Sequence, residues 1–511
     1  MTDQQQGAAL SCAGNGVLKT PHLDRLAAGG VRFERAYSAC PICVPARTTI
    51  LTGHSLCATG IGQNGQLKRP LTGGEGVLGL KTFHERLVER GDAAEYWGKW
   101  HTVEARAACF ANRASMDEGK KAYNAFLEKN GFKIPKPAKG EFIDAHTGCP
   151  YRPDPLDLRT TLEGNAPPND GAGNGESREQ KREQRKAAKG KREGLEDDED
   201  DSEYGLLRVP RELSPTAHVG RNVCEALERL AGGPFTLTGS FGAPHPPMVV
   251  CEPYYGMYPP SEMPIPKSQA DPMTHSPYAE RAKTMERYRD AGLIGYMISN
   301  YYAMVKEVDD WVGRILDTLD RLGLAENTLV VFTSDHGELL GAHGMYSKMV
   351  FYDEASRVPL LARFPWKIPP GTVVGEPVGH LDIYATILDY LGCPAGAHQG
   401  ESLRGLVDRE PNAVARRVFT VSEWPHRHSP NYMVRTRDFK FLFAGDPRSP
   451  SLDALWNLKD DPDEMNNLLG TRPDRAKWRE QAEWHKSLLV SWLDRVGSPD
   501  RAGVKARPVM D

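Results

Sequence analysis

Thr328-Leu329-Val330-Val331-Phe332-Thr333-Ser334-Asp335-His336-Gly337 is a continuous apolar, β-rich run that breaks abruptly into polar chemistry. Runs of this kind form strands covered on both faces, as in the central parallel strands of α/β sheets. Ser334 to Gly337 are then delivered at the carboxyl end of the strand, the edge where open α/β sheets bind ligands. Just upstream, Met304, Val308, Trp311, Ile315, Leu319 and Leu322 recur at helical spacing and predict one long amphipathic helix ending at Gly323. Toward the N-terminus, Thr20 is placed to cap a helix with Pro21 in its first turn, and Gly30 to Tyr37 follow as a strand. Thr82 to Arg90 read as a second capped helix, and Ala93 to Trp97 as a strand running into Gly98-Lys99-Trp100-His101. Pro234 to Ser240 form another buried strand, leading into Phe241-Gly242-Ala243-Pro244-His245-Pro246. A helix ending near Leu391 closes this alternation; beyond Val418 come short strands and a final helix from about Arg475 to Val496. The expected fold is α/β: a large, mostly parallel sheet flanked by helices over residues 1–415. A smaller C-terminal α+β subdomain with a short antiparallel sheet is expected over 416–511.

Composition narrows the function classes. The chain has 511 residues with 64 Lys+Arg against 68 Asp+Glu, a net charge of −4, so no overall basic field exists to hold nucleic acid. No apolar run approaches the roughly 20 residues of a membrane span. Nine cysteines, an odd number spread thinly, argue against a disulfide scaffold and leave at least one thiol unpaired. The opening MTDQQQGAALSCAGNG has neither the basic start nor the apolar core of a secretory signal, and the compartment is left open. From about 171 to 203 a basic block adjoins an acidic one with almost no apolar residues, which predicts a solvated, disordered insertion.

The densest chemistry lies in Cys40-Pro41-Ile42-Cys43-Val44-Pro45-Ala46-Arg47-Thr48-Thr49-Ile50-Leu51-Thr52-Gly53. Cys40 and Cys43 form a C-x-x-C pair, open to three readings: a redox couple, half of a zinc site, or two small buried residues. Arg47 lies four residues on, at the start of a helix-like stretch, and a cation beside helix N-terminal amides makes a site for an oxyanion. Cys43-x-Pro45-x-Arg47 followed by Leu51-Thr52-Gly53 resembles the signature of the type I sulfatases, within the alkaline phosphatase superfamily. Asp3-Gln4 resembles that family's first metal-ligand pair, Gly98-Lys99-Trp100-His101 its GKWH element and Pro244-His245-x-Pro its general-acid element. Asp335-His336-Gly337 resembles the second metal pair, and Lys348 the lysine that contacts sulfate. The similarity runs from Asp3 to the ending NLKDDPDEMNNL.

The resemblance implies a sulfuric ester hydrolase whose Cys43 is oxidised by a formylglycine-generating or other maturing enzyme, with the hydrated aldehyde as nucleophile. Asp3, Gln4, residue 43, Asp335 and His336 would hold one divalent metal, with oxygen-rich chemistry suiting Ca²⁺ first and Mg²⁺ or Mn²⁺ next. Arg47, Lys99 and Lys348 would supply positive charge to a sulfate, His245 a proton to the leaving alcohol, and His101 the base that regenerates the aldehyde. The family also carries a hydrophobic strand before its first acidic pair, where this sequence has Met1-Thr2, and a start placed too far downstream is the expected explanation. Gly91-Asp92 stands where the family has Gly-Tyr. A sugar sulfate is the preferred substrate class, with aromatic residues around Pro253 to Pro260 available for stacking. His54, Asn64, His426 and His428 are candidate groups at the pocket mouth. The rival readings are a phosphonate monoester or phosphodiester hydrolase using the same site, an inactive anion-binding homologue, and a redox module.

Overall fold

The computed structural model of the chain describes residues 1–65, 79–103, 108–112, 120–138, 140–144, 146–154, 204–426, 429–445, 452–470 and 472–509. The charged insertion expected at about 171–203 and His428 lie outside these residues, as does the side chain of His426. Fourteen strands occur among the described residues: β1 Val31–Tyr37, β2 Ala93–Gly98, β3 Phe142–Ile143, β4 Pro150–Pro153, β5 Tyr204–Leu207, β6 Phe235–Ser240, β7 Met248–Val250, β8 Val330–Thr333, β9 Leu360–Arg363, β10 Thr372–Gly379, β11 Phe419–His426, β12 Ser429–Thr436, β13 Phe439–Phe443 and β14 Ala454–Asn457.

The principal sheet has the order β10-β1-β9-β8, and β2 pairs in parallel with β6. Residues 1–3 tie the two together. Thr2 N donates to Thr333 O at 3.0 Å, Phe241 N to Met1 O at 2.9 Å and Asp3 N to Ala243 O at 3.3 Å. The carboxyl ends of β6 and β8 therefore converge on Asp3 and Gln4. The expected α/β class is what the chain adopts, with a mixed principal sheet: β1 is parallel to β10, whereas β9 runs antiparallel to both β1 and β8. An antiparallel neighbour needs no helical crossover. The connection from β8 to β9 is accordingly an irregular loop with two short turns of helix, Ala342–Gly344 and Asp353–Ser356, and it carries Asp335, His336 and Lys348.

The long helix spans Ala291–Arg321, beginning well before Met304, because Asp290 caps it by accepting from Gly292 N and Leu293 N. Its apolar stripe extends upstream through Leu293, Ile294, Met297 and Tyr301, all buried. It packs on the Pro215–Leu230 helix so closely that a Cβ at Gly220 would lie 2.4 Å from the Trp311 ring. Core residues from β1 and β10 pack on the Phe83–Arg90 and Leu381–Tyr390 helices. The cap expected at Thr82 is present, as a capping box with Glu85. Thr20 does not cap the Pro21–Ala28 helix; its hydroxyl pairs with Ser11, and Asp309 of the long helix takes the His22 and Leu23 amides instead.

Strands β11 to β14 form an antiparallel sheet in sequence order, packed on the Arg479–Arg495 helix. Two contacts fasten it to the segment leading into Cys43: Glu423 N donates to Ala39 O at 2.7 Å, and the Ser422 hydroxyl to Ser38 O. The buried Lys440 ammonium lies 2.5 Å from Asp353 and 2.7 Å from Glu464.

Candidate active site

Ile42 is extended and Cys43 opens the Cys43–Thr52 helix, which Gly53 terminates in a left-handed turn at φ 66°. The helix start is held by Asn64, whose Oδ1 accepts from Val44 N at 3.0 Å. The Cys43 thiol is 1% exposed, with its Sγ 3.1 Å from His336 Nε2, 3.7 Å from Lys348 Nζ and 3.9 Å from Asp3 Oδ1. One turn along the helix, the Arg47 guanidinium makes four hydrogen bonds. Nε donates to Asp335 Oδ2 at 2.8 Å, Nη2 to Asp3 Oδ2 at 3.0 Å, and Nη1 to Lys99 O and Ser240 Oγ at 2.8 and 2.9 Å. Lys99 Nζ reaches Asp3 Oδ2 at 2.6 Å. Its approach depends on Gly98, at φ 96°, where a Cβ would lie 2.0 Å from Ser240 O. Lys348 Nζ donates to Gln4 Oε1 at 2.7 Å and lies 3.1 Å from His245 Nε2, while His245 Nδ1 faces Pro246 O at 2.6 Å. His101, at φ 43°, lines the same cavity as Cys43 and favours the ionised form of its side chain.

Electrostatics follow from this packing. Burial alone would raise the Cys43 thiol, but Lys348, Lys99 and His336 outweigh it and hold it well below its ordinary value. Cys40 is pushed well above its ordinary value by burial and by Glu423, so the two thiols of the C-x-x-C pair are chemically unlike. Burial and Cys43 oppose ionisation of Asp3, yet Lys99, His245 and Arg47 keep its carboxyl below the usual range. His245 is lowered to about 4 by burial, Lys348 and Lys99.

Asp3, Cys43, Asp335 and His336 each offer one donor atom, and these atoms lie within 4.8 Å of one another. Two carboxylates and an imidazole, with the Gln4 amide oxygen beside them, form a buried and mainly oxygen donor set, which fits a hard divalent cation. The sequence-predicted residues Cys43, Asn64, Lys99, His101, His245 and Lys348 line a cavity of about 570 Å³. His54 does not; its Nδ1 turns to Thr52 O at 2.7 Å. The aromatic residues expected around Pro253 to Pro260 also point elsewhere, Tyr254 to Asp310 and Tyr255 to Asp154, and the cavity's large aromatic rings are those of Trp97 and Tyr123.

Three supporting residues had not been singled out from sequence. Glu338 accepts from the Gln4 side-chain amide and from Ser347 N at 2.6 Å, Tyr301 donates to Gln4 O at 2.7 Å, and Ser240 receives Arg47. Only Glu338, directly after Asp335-His336-Gly337, had a local signal.

An α/β body that gathers carboxylates, imidazoles and lysines around the Cys43 thiol at its strand ends fits a hydrolase of the alkaline phosphatase superfamily. The sulfatase family profile matches residues 1–135 and 178–393. A second profile, described as N-sulphoglucosamine sulphohydrolase, C-terminal, matches 341–488. The chain belongs to the sulfatase family. It is 27% identical to an N-acetylglucosamine-6-O-sulfatase of Bacteroides thetaiotaomicron, covering 94% of this chain and 83% of the relative. It is also 27% identical to an ulvan-active sulfatase of Formosa agariphila, over 92% and 76%. Among solved structures, the phosphonate monoester hydrolase of Agrobacterium radiobacter superposes with a TM-score of 0.70 at 22% identity, covering 97% of this chain and 94% of that one. At that identity the likeness speaks for the fold.

Proposed function

We propose that the protein hydrolyses a sulfate monoester on a carbohydrate, using residue 43 matured from cysteine to formylglycine and one divalent cation, Ca²⁺ by preference. The observation that carries this reading is the convergence of Asp3, Cys43, Asp335 and His336 within 4.8 Å, beside Lys99 and Lys348 in a cavity large enough for a sugar. The relatives that act on N-acetylglucosamine sulfate and on ulvan support the carbohydrate. When present, the matured side chain supplies a hydroxyl nucleophile and the cation supplies charge that favours its ionisation and screens the anionic ester.

The chain's own residues do the rest. Lys99 and Lys348 bind the sulfate oxygens and offset charge accumulating in the transition state. Arg47, bonded to Asp3, Asp335, Lys99 O and Ser240, holds the two carboxylates in register. Lys348 and His245 share a hydrogen bond, and that pair holds the proton destined for the leaving alcohol oxygen. His101, in the same cavity as side chain 43, accepts the proton released when the nucleophile is regenerated.

The same charges could receive a phosphonate monoester. Turnover of aryl sulfate and aryl phosphonate side by side separates the two, and faster phosphonate turnover would overturn the sulfate preference. For the nucleophile, mass analysis of the peptide containing residue 43 from the native host is expected to show a loss of about 18 Da relative to cysteine. An intact thiol in active enzyme would refute the formylglycine.

A further inference from the structure

The cavity that opens onto Cys43 is walled by one face of the Pro215–Leu230 helix, including Thr216, His218, Val219 and Asn222. Asn222 and His218 fix each other's hydrogen-bonding state. Asn222 Nδ2 donates to His218 O at 2.7 Å, which identifies that atom as the amide nitrogen, and the same nitrogen faces His218 Nδ1 at 3.2 Å. An amide NH₂ only donates, so Nδ1 is the acceptor and the imidazole proton sits on Nε2. Asn222 therefore presents its amide oxygen, and His218 an N–H. Neither has another hydrogen-bond partner among the described residues. Burial and Arg221 push His218 down to about 4, so the ring is neutral at physiological pH. Its orientation is set by Phe126 and Tyr123, with ring centroids 4.4 and 6.2 Å away.

We infer that His218 and Asn222 are a specificity-determining donor and acceptor pair for the hydroxyl groups of the sugar that carries the sulfate. The inference rests on the proposed carbohydrate sulfatase reading and names the part of the site that recognises the sugar. A hydroxyl both donates and accepts, so neighbouring ring hydroxyls satisfy the histidine N–H and the asparagine oxygen together. Two side chains on one rigid helix, with their states locked by each other, lose little freedom on binding. Trp97 lines the same cavity and offers an apolar ring face for a sugar. A flat aryl ester without hydroxyls leaves both groups unsatisfied.

The test compares kcat/KM on 4-nitrophenyl sulfate with that on N-acetylglucosamine 6-sulfate or galactose 6-sulfate, whichever sugar ester the wild type turns over faster. Asn222→Ala and His218→Phe are each expected to lower the sugar-to-aryl ratio roughly 10- to 100-fold, chiefly through KM, as removal of a substrate hydroxyl contact does. Should Asn222→Ala fail to fold, the isosteric Asn222→Leu replaces it. Equal loss on both substrates, an unchanged ratio, or turnover of the aryl ester with neither sugar ester would overturn the inference. If the wild type cleaves no sulfate ester, the sulfatase reading itself fails. The pair is then judged by saturation-transfer NMR with N-acetylglucosamine and galactose: binding weakened in both variants supports it, and no binding or no weakening overturns it.

Discussion

Replacing Arg47 by Gln keeps a polar side chain, though a shorter one, and removes the cation between two buried carboxylates. Arg47 is 1% exposed and pairs with Asp3 at 3.0 Å and Asp335 at 2.8 Å, both of them fully buried. Breaking a buried ion pair by deleting one partner typically costs about 3–5 kcal/mol, because the remaining charge stays in a medium that solvates it poorly. Here the lower end applies. Asp3 keeps Lys99 at 2.6 Å, and Asp335 keeps amide donors from Gln4 at 3.0 Å and His336 at 2.9 Å. Urea unfolding in the presence of a chelator is therefore expected to show Arg47→Gln less stable than wild type by about 3 kcal/mol. Adding Ca²⁺ should then rescue the variant more than it stabilises the wild type, since the ion meets two carboxylates no longer neutralised by arginine. Ligand at 100 times its Kd contributes about 2.7 kcal/mol. A variant within about 1 kcal/mol of wild type without metal would refute this account of Arg47. Equal Ca²⁺ stabilisation of both proteins would refute the metal argument alone.

Two further outcomes are expected. Gly98→Ala forces a side chain into φ 96° and against Ser240 O, so it should lower thermal stability and also activity, through displacement of Lys99; wild-type values of both would contradict the close approach. Glu423 is buried, accepts from Leu56 N at 3.0 Å, and is pushed up to about 8 by burial, with Asp500 adding to the rise. A carboxyl raised in the folded state contributes stability that is complete below its unfolded pKa, near 4.5, and lost as pH climbs to about 8, at up to about 1.4 kcal/mol per unit. Glu423→Gln should abolish that slope when urea midpoints are compared from pH 5 to 8.5; parallel curves would show that the carboxyl ionises normally.

Much of the α/β alternation was legible because buried strands and amphipathic helices carry distinct periods. Val330 to Thr333, the Thr82 cap and the long helix all follow from local pattern. Local pattern could not reveal that β9 reverses direction, since an apolar strand reads the same either way along the sheet. Nor could it assign Asp309 to cap a helix 286 residues away, at Leu23, in place of Thr20. Within the site, Cys43, Lys99, His101, His245, Asp335 and His336 each sit in a short, locally distinctive motif, Lys348 was placed only by its resemblance to a family lysine, and the structure brings them together with Asp3 and Gln4. Arg47 was legible as a cation, but its pairing with two carboxylates depends on tertiary approach. Glu338 and the His218–Asn222 pair were opaque for the same reason. Their significance lies in what faces them, which for Glu338 is a glutamine 334 residues away.

The contact between Ser422 and Ser38 spans 384 residues. At a synthesis rate of roughly 5–20 residues per second, the segment around Cys43 leaves the ribosome roughly 20–80 s before the strand that clamps it exists. Once β11 has docked, the backbone before Cys43 is stitched to its neighbour and the thiol is 1% exposed, so another protein can no longer envelop that stretch of chain. Any enzyme that acts on Cys43 must therefore work on the growing or unfolded polypeptide, and a delay in closing the C-terminal sheet would lengthen its opportunity.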